Sequence, residues 1–250
     1  MQHQPQGYAA AGFDRRFGET AIAGNFLHRL WRILPKQVRA HFWARWDHLI
    51  PYQKMVYKGK VLSHGYDRTF AYRVLFPSAP AGKTILDVGC HTGFYCLMAA
   101  SEDAEYCMGI DIEPSRIKKG QLLIEREGIA NVHLVAVDAF QYEPGRRFDI
   151  VLCLNVLQHV GTIERLDQLL NKLYSLAERQ LLLIVPLPDT PAVAYEHAIR
   201  GKVNYLLVSG EYFEKRYPAD SVCVVALDSS YYRRNRAAIF ISKAGPLPTA

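Results

Sequence analysis

A chain of 250 residues, half of them hydrophobic, is long enough to bury a complete α/β core as one domain with an extension. None of its apolar runs reaches membrane-spanning length, and the opening MQHQPQGYAAAGFDRR lacks the continuous apolar stretch of a cleaved leader, so a cytoplasmic location is expected. The net charge of +6 is uneven, with ten Lys plus Arg against three Asp plus Glu in residues 1–60 and 20 against 21 in the rest, which confines the basic character to the N-terminal part.

Residues 1–18 are polar and rich in Gln, Gly and Ala, and no element is predicted there. From Phe26 a helical face forms through Leu30, Ile33 and Leu34. Pro35 then suits the first turn of a second helix, whose stripe runs through Val38, Phe42, Trp46 and Leu49. Arg29, Arg32, Lys36, Arg39 and Arg45 lie largely opposite. This basic pair is expected to be a helical cap, with contact to nucleic acid or a membrane surface as the alternative. Residues 57–76 read as a connector that turns helical from Asp67, with Asp67 as its cap and His64, Tyr66 and Arg68 as its polar cluster. The domain boundary is placed between a 1–80 extension and an 81–250 core.

After Gly82 strands and helices alternate. Strands are predicted near 84–88, 106–110, 132–137, 149–154, 180–186, 222–228 and 236–242, and helices near 93–101, 114–127, 162–178 and 210–217. Glu113 and Pro114 signal the start of the second of these helices. Alternation of this kind implies a mostly parallel sheet covered on both faces. The segment SSYYRRNR is too short for a crossover helix, so the last two strands must pair antiparallel. Residues 186–210 are long for a connection, which makes Tyr195, Glu196, His197 and Arg200 candidate substrate handles, set against the simpler reading of a solvated surface helix. Tyr231, Tyr232, Arg233, Arg234 and Arg236 form a basic aromatic patch at the final turn, fit for an anionic or sugar substrate, set against the commoner reading of a solvated hairpin tip. The five cysteines, Cys90, Cys96, Cys107, Cys153 and Cys223, are odd in number and mostly inside predicted elements, so they read as small buried hydrophobes. No metal set is visible.

The most informative stretch is TILDVGCHTGFYCLMA, Thr84 to Ala99. A buried strand runs into a turn between Gly89 and Gly93, and then into a helix, so bare backbone and a helix N-terminus face one crevice. Asp87 is an anomaly inside the apolar run and must be bonded to turn N–H groups or to a ligand. Asp111 ends the next strand, where a carboxylate can accept both ribose hydroxyls of an adenosine group. Asp138 in VHLVAVDAF and the segment FDIVLCLNVLQHV continue the pattern.

Together these segments resemble the class I S-adenosylmethionine-dependent methyltransferases over about residues 80–243. The resemblance implies a Rossmann-like α/β fold, with a seven-stranded, mostly parallel sheet and an antiparallel final hairpin. It also implies S-adenosyl-L-methionine as cofactor. Asp87, Gly89 and Gly93 match the family's first motif, Asp111 its ribose-binding acid, and Asp138 the residue beside the adenine amino group. Asn155 to His159 match the segment facing the transferred methyl. The implied cofactor set is Asp87, Gly89, Cys90, Gly93, Asp111, Ile112, Asp138, Ala139 and Asn155. Many members carry a third glycine where this chain has His91.

Methyl transfer from a sulfonium asks the protein for alignment and, with a hydroxyl acceptor, for a base. His159, just past the fourth strand, is the candidate catalytic residue, with a structural bond to a loop carbonyl as its other reading. Tyr195, His197, Arg200, Tyr232 and Arg234 are the candidate substrate residues. The expected substrate is a small molecule or a saccharide methylated on oxygen, with nitrogen second, and a homodimer is left open. Two alternatives are carried: modification of the tRNA wobble uridine by methyl or carboxymethyl transfer, and a non-catalytic binding or scaffold protein.

Overall fold

The computed structural model describes residues 53–63, 65–189, 193–200, 203–227 and 235–243. The helices expected over 26–49, and His64, Tyr231, Tyr232, Arg233 and Arg234, lie outside the described residues. The compact unit begins at Gln53.

In chain order the unit runs β1 (Met55–Tyr57), β2 (Lys60–Ser63), α1 (Thr69–Leu75), β3 (Thr84–Val88), α2 (Phe94–Ser101), β4 (Tyr106–Asp111), α3 (Pro114–Arg126) and β5 (Val132–Ala136). It continues with β6 (Phe148–Leu154), a 3-10 turn (Leu157–His159), α4 (Ile163–Leu176), β7 (Ala177–Pro186), β8 (Tyr195–Arg200), β9 (Val203–Val208), α5 (Gly210–Arg216), β10 (Val222–Leu227) and β11 (Arg236–Ser242). Seven strands form the main sheet in the order β10-β11-β7-β6-β3-β4-β5. β3 pairs in parallel with both β4 and β6, while β11 runs antiparallel to β7 and β10. The chain therefore leaves β3 in one direction to β4 and later returns on its other side to β6. That reversal opens a crevice at the strands' C-terminal ends, where ligands bind in open α/β sheets.

Burial on both faces explains the unbroken apolar runs. Every residue of β3 is buried, including Asp87. One face carries α1, α2 and α3 through Leu75, Phe94, Leu97, Ile117 and Ile124, and the other carries α4 and α5 through Leu166, Leu170, Leu173 and Phe213. Glu113 caps α3 by accepting the Ser115 N–H, with Pro114 at its first position, as the sequence indicated. Asp67 accepts the first helical N–H of α1, from Thr69 at 2.9 Å, although the helix itself starts after Arg68.

Two segments differ from expectation. The connector contains the β1–β2 hairpin, closed by Lys58 (φ 46°) and Gly59 (φ 78°), two left-handed residues that match the right-handed twist of the flanking strands. The 186–210 segment is a β8–β9 hairpin, in register from Tyr195↔Val208 to Arg200↔Val203, and Tyr195, Glu196, His197 and Arg200 belong to a strand rather than a helix. Among the described residues no helix is long and apolar enough to cross a membrane.

Leu134 of β5 fixes how closely α3 approaches the sheet, because Gly93, Gly109 and Gly120 all face it. A Cβ on Gly120 would stand 2.4 Å from Leu134 Cδ1 and 2.6 Å from the Thr92 carbonyl oxygen. In a helix interior Gly→Ala normally gains about 1 kcal/mol. Here the clash includes backbone, and overpacking costs about 1–3 kcal/mol. Gly120→Ala is therefore expected to lower stability by about 1–2 kcal/mol in urea unfolding, and a variant as stable as the parent would show that α3 can back away.

Candidate active site

The crevice is built from the turn after β3. Gly89 (φ 77°), His91 (φ 57°) and Gly93 (φ 87°) all take left-handed backbone, and Gly93 starts α2. The N–H groups of Gly89 and Cys90 both donate to the Ile110 carbonyl, at 2.8 and 3.0 Å, which ties the turn to β4. Gly89 has no room for a side chain, since a Cβ would lie 2.2 Å from Val156 Cγ2 beyond β6. The position where many relatives carry a third glycine is thus filled by a histidine in the same conformation. Its strain, about 1–3 kcal/mol for a non-glycine residue, is offset by a charge-assisted bond from its N–H.

The acceptor of that bond is Asp111. Its Oδ2 takes the His91 N–H at 2.9 Å, its Oδ1 takes the Glu113 N–H at 3.0 Å, and Arg116 Nη1 stands 3.7 Å away. The carboxylate is held rigidly at the end of β4. Ile112 beside it is 69% exposed, leaving an apolar face open next to the acid. Asp138 sits at the end of β5, half-buried with Ala139. Its Oδ1 accepts the Phe140 N–H at 2.9 Å and its carbonyl accepts from Gln141 and Tyr142, so it caps the following turn.

On the far side of β3, Asn155 (φ 59°) follows β6. Arg236, the first residue of β11, donates from Nη1 to Asn155 Oδ1. Buried Gln158 donates from Nε2 to the Asn155 carbonyl at 2.8 Å and stands 3.2 Å from His159 Nε2. An amide N–H can only donate, so this contact puts the ring's lone pair at Nε2. Tyr205 of β9 covers the His159 ring, 5.1 Å between centroids. Burial, then the charges of Arg236 and Arg116, hold His159 below the ordinary histidine value. A neutral ring at pH 7 is the form that can accept a proton.

Sequence reasoning named His159, Asn155 and Arg236 but not the residues that frame them. Gln158 carried no signal beyond its neighbours. Tyr205 belonged to an unrecognised strand, and Arg116 lay without comment inside the predicted helix 114–127. Gln53 was also missed: it is buried, and its Oε1 accepts from Thr92 Oγ1 at 3.1 Å, closing the glycine turn from the β1 side. Tyr195 and His197 lie on β8 with rings 6.5 Å apart, and Tyr195 is 48% exposed. It is Tyr205 of the partner strand that meets His159. Arg200 ends β8.

Residues 86–180 match a family model described as a methyltransferase domain. Over those residues the chain is similar to the class I S-adenosylmethionine-dependent methyltransferases, and its fold is theirs. It is 33% identical over 82 residues to a ubiquinone biosynthesis O-methyltransferase of Acinetobacter baylyi, covering 32% of this chain and 34% of that protein. It is 30% identical over 148 residues to a tRNA U34 carboxymethyltransferase of Haemophilus influenzae, covering 57% of this chain and 41% of that one. The chain thus spans between a third and two fifths of the length of these curated relatives. Its fold is similar to the N-terminal domain of EvdMO1, solved with S-adenosylhomocysteine and D-fucose, at a TM-score of 0.60, 17% identity, and coverage of 82% of this chain and 97% of that one. It is also similar to the Burkholderia thailandensis 1,6-didemethyltoxoflavin N1-methyltransferase, at a TM-score of 0.56, 17% identity, and coverage of 69% and 76%.

Within this crevice Asp87 is the electrostatic oddity. It lies between Gly109 of β4 and Leu152 of β6, 1% exposed, with Oδ2 buried and without a hydrogen-bond partner. Burial, and then the neighbouring charge of Asp111, push its carboxyl from 3.8 up to about 8. Between about 3.8 and about 8 the unfolded chain has released this proton while the folded chain keeps it. The stability of the unliganded protein therefore falls as pH rises through that window and levels off above it. Asp87→Asn cannot ionise, so its melting temperature relative to the parent should climb steadily from pH 5 to pH 8; parallel melting curves across that range would refute the assignment.

Proposed function

We propose that this methyltransferase binds S-adenosylmethionine in the β3–β4–β6 crevice and directs its methyl group to an oxygen, or secondarily a nitrogen, of a small-molecule or saccharide acceptor. The residues fit such a cofactor. The partnerless, buried oxygen of Asp87 calls for a cationic group, Asp111 presents a fixed carboxylate to hydroxyls, and exposed Ile112 offers an apolar face to a base. When bound, the sulfonium supplies an activated methyl and its own leaving group.

The observation that carries the reading is His159. It sits past the end of β6, held neutral, oriented by Gln158 and walled by Tyr205. A neutral imidazole at that place can take the proton of an acceptor hydroxyl at Nε2, once the acceptor displaces the Gln158 N–H from that lone pair, as the new bond to carbon forms. Gln158 and Tyr205 orient the ring, and the β8–β9 hairpin bounds the acceptor's space on one side. Buried Cys90, Cys96, Cys107 and Cys153 suit a reducing cytoplasm. A tRNA acceptor is the second reading, favoured by the 148-residue match to the carboxymethyltransferase and the basic surplus in residues 1–60.

Calorimetric titration with S-adenosylhomocysteine tests the cofactor half of the proposal. Asp111→Ala should weaken binding about 10- to 100-fold, in line with charge-assisted bonds of about 1.5–3 kcal/mol. His159→Ala should bind as the parent does, yet lose about 10²- to 10⁴-fold in kcat with hydroxylated small molecules or sugars. A parent protein that fails to bind S-adenosylhomocysteine would end the enzymatic reading, and turnover confined to tRNA would select the second one.

A further inference from the structure

One carboxamide stands beside His159, and its neighbours fix which way it faces. Gln158 Nε2 lies 2.8 Å from the Asn155 carbonyl, which can only accept, so nitrogen rather than oxygen must occupy that side. The same nitrogen stands 3.2 Å from His159 Nε2. Both of its N–H groups are thereby engaged, while Oε1 is buried and, among the described residues, has no partner. Turning the amide over would set oxygen against the Asn155 carbonyl. Gln158 is 5% exposed within the 3-10 turn, whereas His159, the next residue, is exposed.

The two side chains are therefore unequal, because the imidazole can swing aside while the amide stays anchored. An atom entering between them meets a fixed donor on one side and a lone pair on the other. Val156, two residues earlier in the same segment, packs against Gly89 of the turn after β3, so this segment borders the crevice. A donor facing a base sorts nucleophiles by their lone pairs. A hydroxyl gives its proton to His159 Nε2, accepts the Gln158 N–H on one lone pair and keeps the other for carbon. A neutral amine has a single lone pair, and the Gln158 N–H would occupy it.

We propose that Gln158 is the specificity-determining residue that selects an oxygen acceptor over a nitrogen one, its N–H and the His159 lone pair holding the two sides of a single hydroxyl. As the oxygen bonds to the methyl carbon, its proton passes to His159 Nε2 and the electron pair of the broken C–S bond stays on sulfur. An imidazolium and a thioether then replace the imidazole and the sulfonium. The proposal rests on the methyltransferase reading of the crevice and narrows its acceptor to an alcohol or a phenol.

The test reads the His159 ring nitrogens by NMR in the full chain loaded with S-adenosylhomocysteine, at a pH where the ring is neutral, while phenol or its isostere aniline is titrated. Before any addition the ring proton should sit on Nδ1, because Nε2 takes the Gln158 N–H, and Gln158→Leu should lose that preference. Phenol should shift Nε2 saturably and bind at least about tenfold more tightly than aniline, the discrimination expected of a site built to hydrogen-bond a hydroxyl. In Gln158→Leu the two should bind within about twofold of each other. A parent ring with its proton on Nε2, aniline binding as tightly as phenol, or no saturable response to either overturns the proposal, and these results stand even if Gln158→Leu fails to fold. An unchanged preference for phenol in a folded Gln158→Leu also overturns it. Failure of S-adenosylhomocysteine to bind sinks the underlying function instead, and the tautomer and phenol preference of the unliganded protein still decide what Gln158 does.

Discussion

Everything in the crevice depends on one short stretch of backbone being laced to its neighbour strand. The Ile110 carbonyl receives two N–H groups from the glycine turn and the Asp111 carboxylate receives a third. These bonds consume donors that would otherwise be orphaned where a strand becomes a helix. They also make the acid and the turn a single rigid object. The packing obeys the same constraint, because Gly89 meets Val156 while Gly93, Gly109 and Gly120 close around Leu134. Backbone thus approaches from both sides to distances no side chain would permit, and the sites of the family's motif are set by contact as much as by chemistry.

That geometry explains which parts of the structure were legible in the sequence. β3 and β11 were placed to the residue, and the other sheet strands to within a few residues, because strands covered on both faces leave an apolar run bounded by turns. The antiparallel end of the sheet followed from loop length alone. The two hairpins were not legible, for different reasons. Three residues in β1 are too few to establish alternation, although Lys58-Gly59 was a usable turn signal. In β8, exposed polar residues mixed with Ala198 and Ile199 satisfy a helix or a strand about equally well. Consequently Tyr205, which walls His159, was invisible while Tyr195 and His197 drew attention. Asp138 shows a subtler limit: a strand-end aspartate that caps a turn and one that faces a ligand are written identically in sequence, and here Oδ1 is committed to the cap.

The crevice is electrically polarised along its length. At the β3–β4 end the charge of Asp111 adds to burial in disfavouring ionisation of Asp87, and the buried thiols of Cys90, Cys96, Cys107 and Cys153 offer no relief. At the β6–β11 end Arg236 is bonded to Asn155. A cationic group beside Asp87 would relieve that tension. Burying like charges together costs stability in the unliganded state, and such costs are retained where binding recovers them.

The wall over His159 has its own support, remote from the sheet's motif. Asp167 of α4 accepts from Tyr212 and Arg216 of α5, and Arg216 also donates to Asn171 Oδ1 at 2.7 Å. These bonds clamp α5 onto α4. The β8–β9 hairpin is inserted between β7 and α5, and Leu206 and Val208 are buried in the same apolar layer as Leu166 and Phe213. Tyr205 is therefore carried on a strand anchored at its own C-terminal end. A hairpin held at one end can change its tip residues without disturbing the turn or the acids that face the other end of the crevice. On the proposed function, acceptor choice and cofactor geometry would thereby fall to separate structural elements. That separation is the physical reason a resemblance concentrated in residues 86–180 says so much about the donor side and so little about the acceptor.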